Sequence, residues 1–138
     1  MDVLVPVNDS EPARAAVEHA LEEYPDASIT LLHVIDPNLS TYGEGGVYAY
    51  ESLIESRKEG AEELLEELGE LASDHDGTLT GEIVVGQPGR EVVEFAEEGG
   101  HDHIIIGSHG RSGASRVLLG SVAESVARRA SVPVTIVR

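Results

Sequence analysis

Apolar residues fall into two rhythms along this chain. Short unbroken runs alternate with stretches in which they return every three or four positions. Asp2-Val3-Leu4-Val5-Pro6-Val7 is a run of the first kind and predicts a buried strand. Asn8-Asp9-Ser10-Glu11-Pro12 then supplies turn residues, helix-capping candidates and a proline suited to a first helical turn. Ala13, Ala16, Val17, Ala20, Leu21 and Tyr24 follow at helical spacing, and Pro25 ends that helix. Ser28 to Ile35 is a second strand, closed by Asp36-Pro37. Residues 38–47 hold three glycines and no periodicity, which predicts a mobile loop; its place at a strand end suits a lid, a disordered connector being the commoner outcome. Tyr50 to about Ser73 is the longest predicted helix, with Leu53, Ile54, Ala61, Leu64, Leu65, Leu68, Leu71 and Ala72 on its buried stripe.

Asp74-His75-Asp76-Gly77 reads as a turn, and Leu79 to Val85 as strand three. Gly86-Gln87-Pro88-Gly89 leads into a helix carrying Val92, Val93 and Ala96, which Gly99-Gly100 ends. Ile104-Ile105-Ile106 is a β-branched run fit for a strand buried on both faces. A last helix from Ser121 carries Val122, Val126 and Ala130 along one face, and Val134-Thr135-Ile136-Val137 makes strand five. Strands alternating with helices in this way predict an α/β fold, a parallel sheet between two helical layers. No repeat or linker interrupts residues 1–138, so one domain is expected.

Charge narrows the partners. There are 26 acidic residues against 9 basic ones, a net charge of -17, and only Lys58 among the basic residues is lysine. Nucleic acid and anionic membranes are poor partners for such a surface. An acidic surface nearly free of lysine suits molar salt, which screens self-repulsion, so a halophilic source is expected. There is no cysteine, which excludes disulfides, thiolate zinc sites and thiol catalysis. Without an apolar run of membrane length or a signal-peptide pattern, a soluble, cytoplasmic protein is expected.

The chemistry gathers after strand four. The stretch from Gly107 through Gly120 holds four glycines, three serines, His109, Arg111 and Arg116, and Ser121-Val122-Ala123-Glu124 has capping-box spacing. A strand, a glycine-rich loop and a helix N-terminus together form an anion site, with phosphate the usual guest. Gly107, Gly110 and Gly120-Ser121 read G-x2-G-x9-G-[ST].

This signature resembles that of the universal stress protein family, and the resemblance extends over essentially the whole chain. It implies a five-stranded parallel sheet of order 3-2-1-4-5, of the adenine nucleotide alpha hydrolase-like or Rossmann-like type. It further implies an ATP site in the crevice between strands one and four. The site residues implied are Pro6, Val7, Asn8, Val34, Ile106, Gly107, Ser108, His109, Gly110, Arg111, Gly120, Ser121 and Val122. Asn8 stands where ATP-binding members carry aspartate, which puts a bound magnesium ion in doubt more than the nucleotide. Val34 matches the position whose backbone meets adenine, and Arg111 could pair with a phosphate. A homodimer joined through Val134, Thr135, Ile136 and Val137 is also implied, since nothing after strand five covers its edge.

Other readings lack their residues. A phospho-receiver needs an acceptor aspartate after strand three, where Gly86-Gln87 stands, and a lysine beyond Lys58. A Walker loop lacks its lysine, and the dinucleotide G-x-G-x-x-G is absent. A hydrolase using Ser108 or Ser121 with His109 and Asp9 lacks the nucleophile elbow. His101, Asp102 and His103 could be pictured as metal ligands, alternation putting both histidines on one side, but no partners are evident and turn residues before a strand are the better account. Any ATP hydrolysis is expected to be slow, with no general base or lysine placed for it. The rival role is a universal stress protein that binds no nucleotide and acts as a dimeric partner-binding module.

Overall fold

The computed structural model describes residues 1–37, 46–108 and 119–138. Its strands are β1 (Asp2–Pro6), β2 (Ser28–Ile35), β3 (Leu79–Val85), β4 (His103–Gly107) and β5 (Val134–Val137). Its helices are α1 (Glu11–Glu23), α2 (Gly46–Gly69), α3 (Pro88–Glu98) and α4 (Ser121–Arg129). All four strand pairings are parallel, and the order is β3-β2-β1-β4-β5. The expected α/β fold, its strand order and its two helical layers are therefore what forms.

Each face of the sheet has its own core. Val3, Val5, Ile29, Leu31 and Ile105 pack under α1 and α2 through Ala13, Ala16, Val17, Ala20 and Leu68. Leu4, Leu32, Ile104 and Ile106 pack under α3 and α4 through Val92, Val93, Ala96, Ala123 and Val126. Val3, Leu4 and Val5 have no exposed surface at all. At roughly 1.5–3 kcal/mol for each fully buried aliphatic side chain, the central strand is the most strongly held part of the chain.

Two expectations change. Helix α2 begins at Gly46, four residues before Tyr50, because Val47, Tyr48 and Ala49 extend the helical run where the neighbouring glycines suggested loop. The expected lid falls largely on residues 38–45, which lie outside the described residues. The His101-Asp102-His103 trio does not converge either. His101 precedes β4, so strand alternation does not govern it; its ring lies 5.8 Å from Phe95 of α3. His103 is in the strand and turns to the other face, 5.6 Å from Tyr24, with Nε2 2.7 Å from the Thr135 hydroxyl. Burial, and then the nearby His19, hold the His103 pKa below its ordinary value. Among the described residues no three His, Cys, Asp or Glu side chains are grouped to hold a metal ion.

The sheet's two edges differ. β3 exposes Thr80, Gly81 and Glu82, and a charged residue blunts such an edge. β5 holds Val134, Thr135, Ile136 and Val137, all half-buried and none charged.

At the end of β4, packing itself requires a glycine. A Cβ on Gly107 would lie 2.7 Å from the Pro12 carbonyl carbon and 2.9 Å from the Ala13 nitrogen, inside the first turn of α1. Gly107→Ala should therefore push α1 off β4 and lower stability by about 1–3 kcal/mol. Urea unfolding in molar salt measures this, and an unchanged midpoint would contradict the contact.

Candidate functional site

The strand pairings place a crevice. β1 pairs with β4 only at Val3↔His103 and Leu4↔Ile104, whereas its ladder with β2 runs on to Pro6↔Leu32. Pro6-Val7 and Ile106-Gly107 therefore part at the carboxyl ends of their strands, where the strand order reverses. A cavity of about 250 Å³ lies there. Val7, Leu32, Val34, Val92 and Ile106 give it apolar walls.

The opposite wall is the start of α4. Gly120, in extended conformation at φ -67 and ψ 156, is the residue before the helix, and no side chain caps it. The expected capping box does not form. The chain enters the helix one residue earlier than the Ser121–Glu124 spacing suggested, so Ser121 is already helical. The Glu124 amide bonds to the Gly120 carbonyl at 3.0 Å, and its carboxylate pairs with Arg128 at 2.8 Å. The first intrahelical bond being that of Glu124, the amides of Ser121, Val122 and Ala123 are the ones left without an intrahelical acceptor. All three residues line the cavity. Orphan amides at the positive end of a helix favour an anion.

The β1 exit is held by side chains. Asn8 Oδ1 accepts a short hydrogen bond from the Ser10 hydroxyl, and Ser10 Oγ accepts from the Ala13 amide at 3.3 Å, capping α1. The Val7 amide bonds to the Leu32 carbonyl at 2.8 Å, and His33 Nδ1 donates to the Val7 carbonyl at 2.8 Å. Ser108 is buried; its amide bonds to the Val137 carbonyl, and its carbonyl accepts from the Gly120 amide, each at 2.7 Å.

Of the residues singled out in the sequence, Pro6, Val7, Asn8, Val34, Ile106, Gly107, Gly120, Ser121 and Val122 all line this cavity. Ser108 is buried and not among the lining residues, and His109, Gly110 and Arg111 lie outside the described residues. Sequence reading missed Ala13, Leu32, His33, Pro88, Val92 and Ala123. The core residues among them carry no chemical signal. Pro88, however, opens the helix after β3, and His33 is the one imidazole in an otherwise aliphatic strand end.

The walls suit a planar base against aliphatic side chains, with anionic groups toward α4. They offer less to a metal ion, because Asn8 presents a neutral amide oxygen already engaged by Ser10.

The sequence profile of the universal stress protein family matches residues 1–138. The chain belongs to this family. It is 33% identical over 141 residues to universal stress protein MJ0531 of Methanocaldococcus jannaschii, covering 99% of this chain and 81% of that one. The solved structure of hypothetical protein MJ0577 from the same organism superposes with a TM-score of 0.86 at 33% identity, over 99% of this chain and 94% of that one. A universal stress protein solved in complex with cAMP superposes with a TM-score of 0.66 at 26% identity, over 100% of this chain and 96% of that one.

The Asn8-Ser10 clasp also caps a helix. Ser10→Ala should lower stability by about 1 kcal/mol through loss of the α1 cap. Ser10→Asp, which can cap but cannot donate to Asn8, should keep most of it. Thermal melts in molar salt separate the two, and equal losses in both variants would deny the cap.

Proposed function

We propose that this universal stress protein binds ATP in the crevice between β1 and β4 and acts as a nucleotide-dependent sensor or protectant under stress. The observation that carries the reading is the convergence on one cavity of Gly107, Gly120 and Ser121 with the three amides of Ser121, Val122 and Ala123. The base would lie between Val34 and Ile106, and the phosphates would approach α4 and the Gly107–Gly120 segment. The family relative holding cAMP supports an adenine nucleotide. His109, Gly110 and Arg111 complete the proposed binding set, Arg111 toward phosphate. Magnesium contributes little to affinity in this reading, because Asn8 replaces a carboxylate. No role in catalysis is assigned to any residue.

The single domain of residues 1–138 would work in the cytoplasm of a halophile. Its charge of -17 repels an anionic ligand in dilute buffer, and molar salt removes that barrier. Calorimetry with ATP, AMP and cAMP in molar potassium chloride tests the reading, with and without magnesium. Saturable ATP binding, lost in a Gly110→Val/Gly120→Val variant and indifferent to magnesium, is the expected result. No heat from folded protein would leave the partner-binding role as the better account.

The uncharged β5 edge supports a homodimer formed through Val134, Thr135, Ile136 and Val137. Light scattering in molar salt should return twice the chain mass for wild type and a monomer for Thr135→Lys/Val137→Lys. A monodisperse wild-type monomer would refute it.

A further inference from the structure

A hydrogen bond that the ladder between β1 and β2 ought to contain is not made. In a parallel pair, the carbonyl of one residue accepts from the amide two positions beyond the residue that took its own N–H. Val7 gives its amide to the Leu32 carbonyl, so the next step would be Val34 N–H to the Val7 carbonyl. The pairing instead stops at Pro6↔Leu32, and His33 Nδ1 occupies the Val7 carbonyl at 2.8 Å. A carbonyl only accepts, so Nδ1 carries the proton. Amide and carbonyl of a strand residue face the same neighbour. The Val34 peptide is therefore directed toward β1, at the level where β1 has already turned away. Val34 lies in the cavity wall, and among the described residues no backbone carbonyl accepts from its amide.

We propose that His33 is a positioning residue which, by taking the Val7 carbonyl, keeps the Val34 N–H and C=O unspent for a heterocyclic base. One strand residue then offers an adjacent donor and acceptor, the complement of a ring nitrogen beside an amino group. In this role the imidazole acts through the backbone. It sets which backbone group the ligand can reach, and it fixes the Val7-Asn8 wall in doing so. Without it, β1 and β2 would zip one step further and close over the place of the base. A merely structural histidine predicts lost stability on removal. This role predicts retained stability and lost binding.

The ligand half of this inference rests on the ATP reading above, whereas the exchange of bonds does not. Amide hydrogen exchange of Val34, followed by NMR on apo wild type, His33→Leu and His33→Asn in molar potassium chloride, tests the bonds directly. Wild type should exchange freely at Val34, and ATP should protect it. His33→Leu should slow apo exchange at least about tenfold as the amide bonds to Val7, and should weaken ATP about tenfold, one neutral hydrogen bond's worth. His33→Asn places an N–H donor close to the former Nδ1 and should restore both wild-type behaviours. A Val34 amide already protected in apo wild type, or unchanged in His33→Leu, would overturn the proposal. If wild type binds no nucleotide but the exchange pattern shifts as stated, the ATP reading fails and the role of His33 in the wall stands. Should His33→Leu not fold, His33→Gln, whose donor sits nearer the old Nε2 position, carries the same comparison.

Discussion

Past Leu4 the central strand keeps one neighbour and loses the other, and this one-sided parting governs the rest of the molecule. β1 is buried on both faces, so the chain must cover the sheet with helices on both sides. The crossovers that do so leave β1 in opposite directions: one toward β2, the other, after two more units, toward β4. Among the described residues, no crossover spans the gap between β1 and β4 at their carboxyl ends. The gap is lined by the tips of both hydrophobic cores. Its polar groups come from the two chain segments that leave those tips.

The glycines around this gap do unlike things. Gly107 is set by the approach of the α1 backbone, a packing demand that would exist in a protein without a ligand. Gly120 stands in extended conformation before α4 and leaves the helix start without a side-chain cap, so three amides stay available. One signature thus combines a residue that keeps the fold closed with a residue that keeps the site open. Spacing alone would read both as phosphate contacts, although Gly107 answers to the backbone of α1.

Much of this was legible in the sequence, because strands buried on two faces write themselves as unbroken apolar runs. β1 and β4 are such runs, through Val3–Val5 and Ile104–Ile106. What was not legible depends on a partner distant in sequence. Ser121 and Glu124 have the spacing of a capping box, but the backbone at Gly120 enters the helix first. His101 and His103 look paired until the strand is seen to begin between them. His33 reads as one more residue of a strand, and only its contact with Val7, on another strand, reveals what it does. Pro88 and Val92 reach the cavity because α3 packs beside α4, a relation no local pattern encodes.

The bond between the Gly120 amide and the Ser108 carbonyl joins the two ends of the segment that carries His109, Gly110 and Arg111. Closing that segment costs an entropy that rises only logarithmically, about 0.6 kcal/mol for each doubling of length. Insertions, deletions and substitutions between those ends can therefore accumulate without unsettling β4 or α4. Descendants of such a chain are free to revise that segment while inheriting the walls of the crevice unaltered.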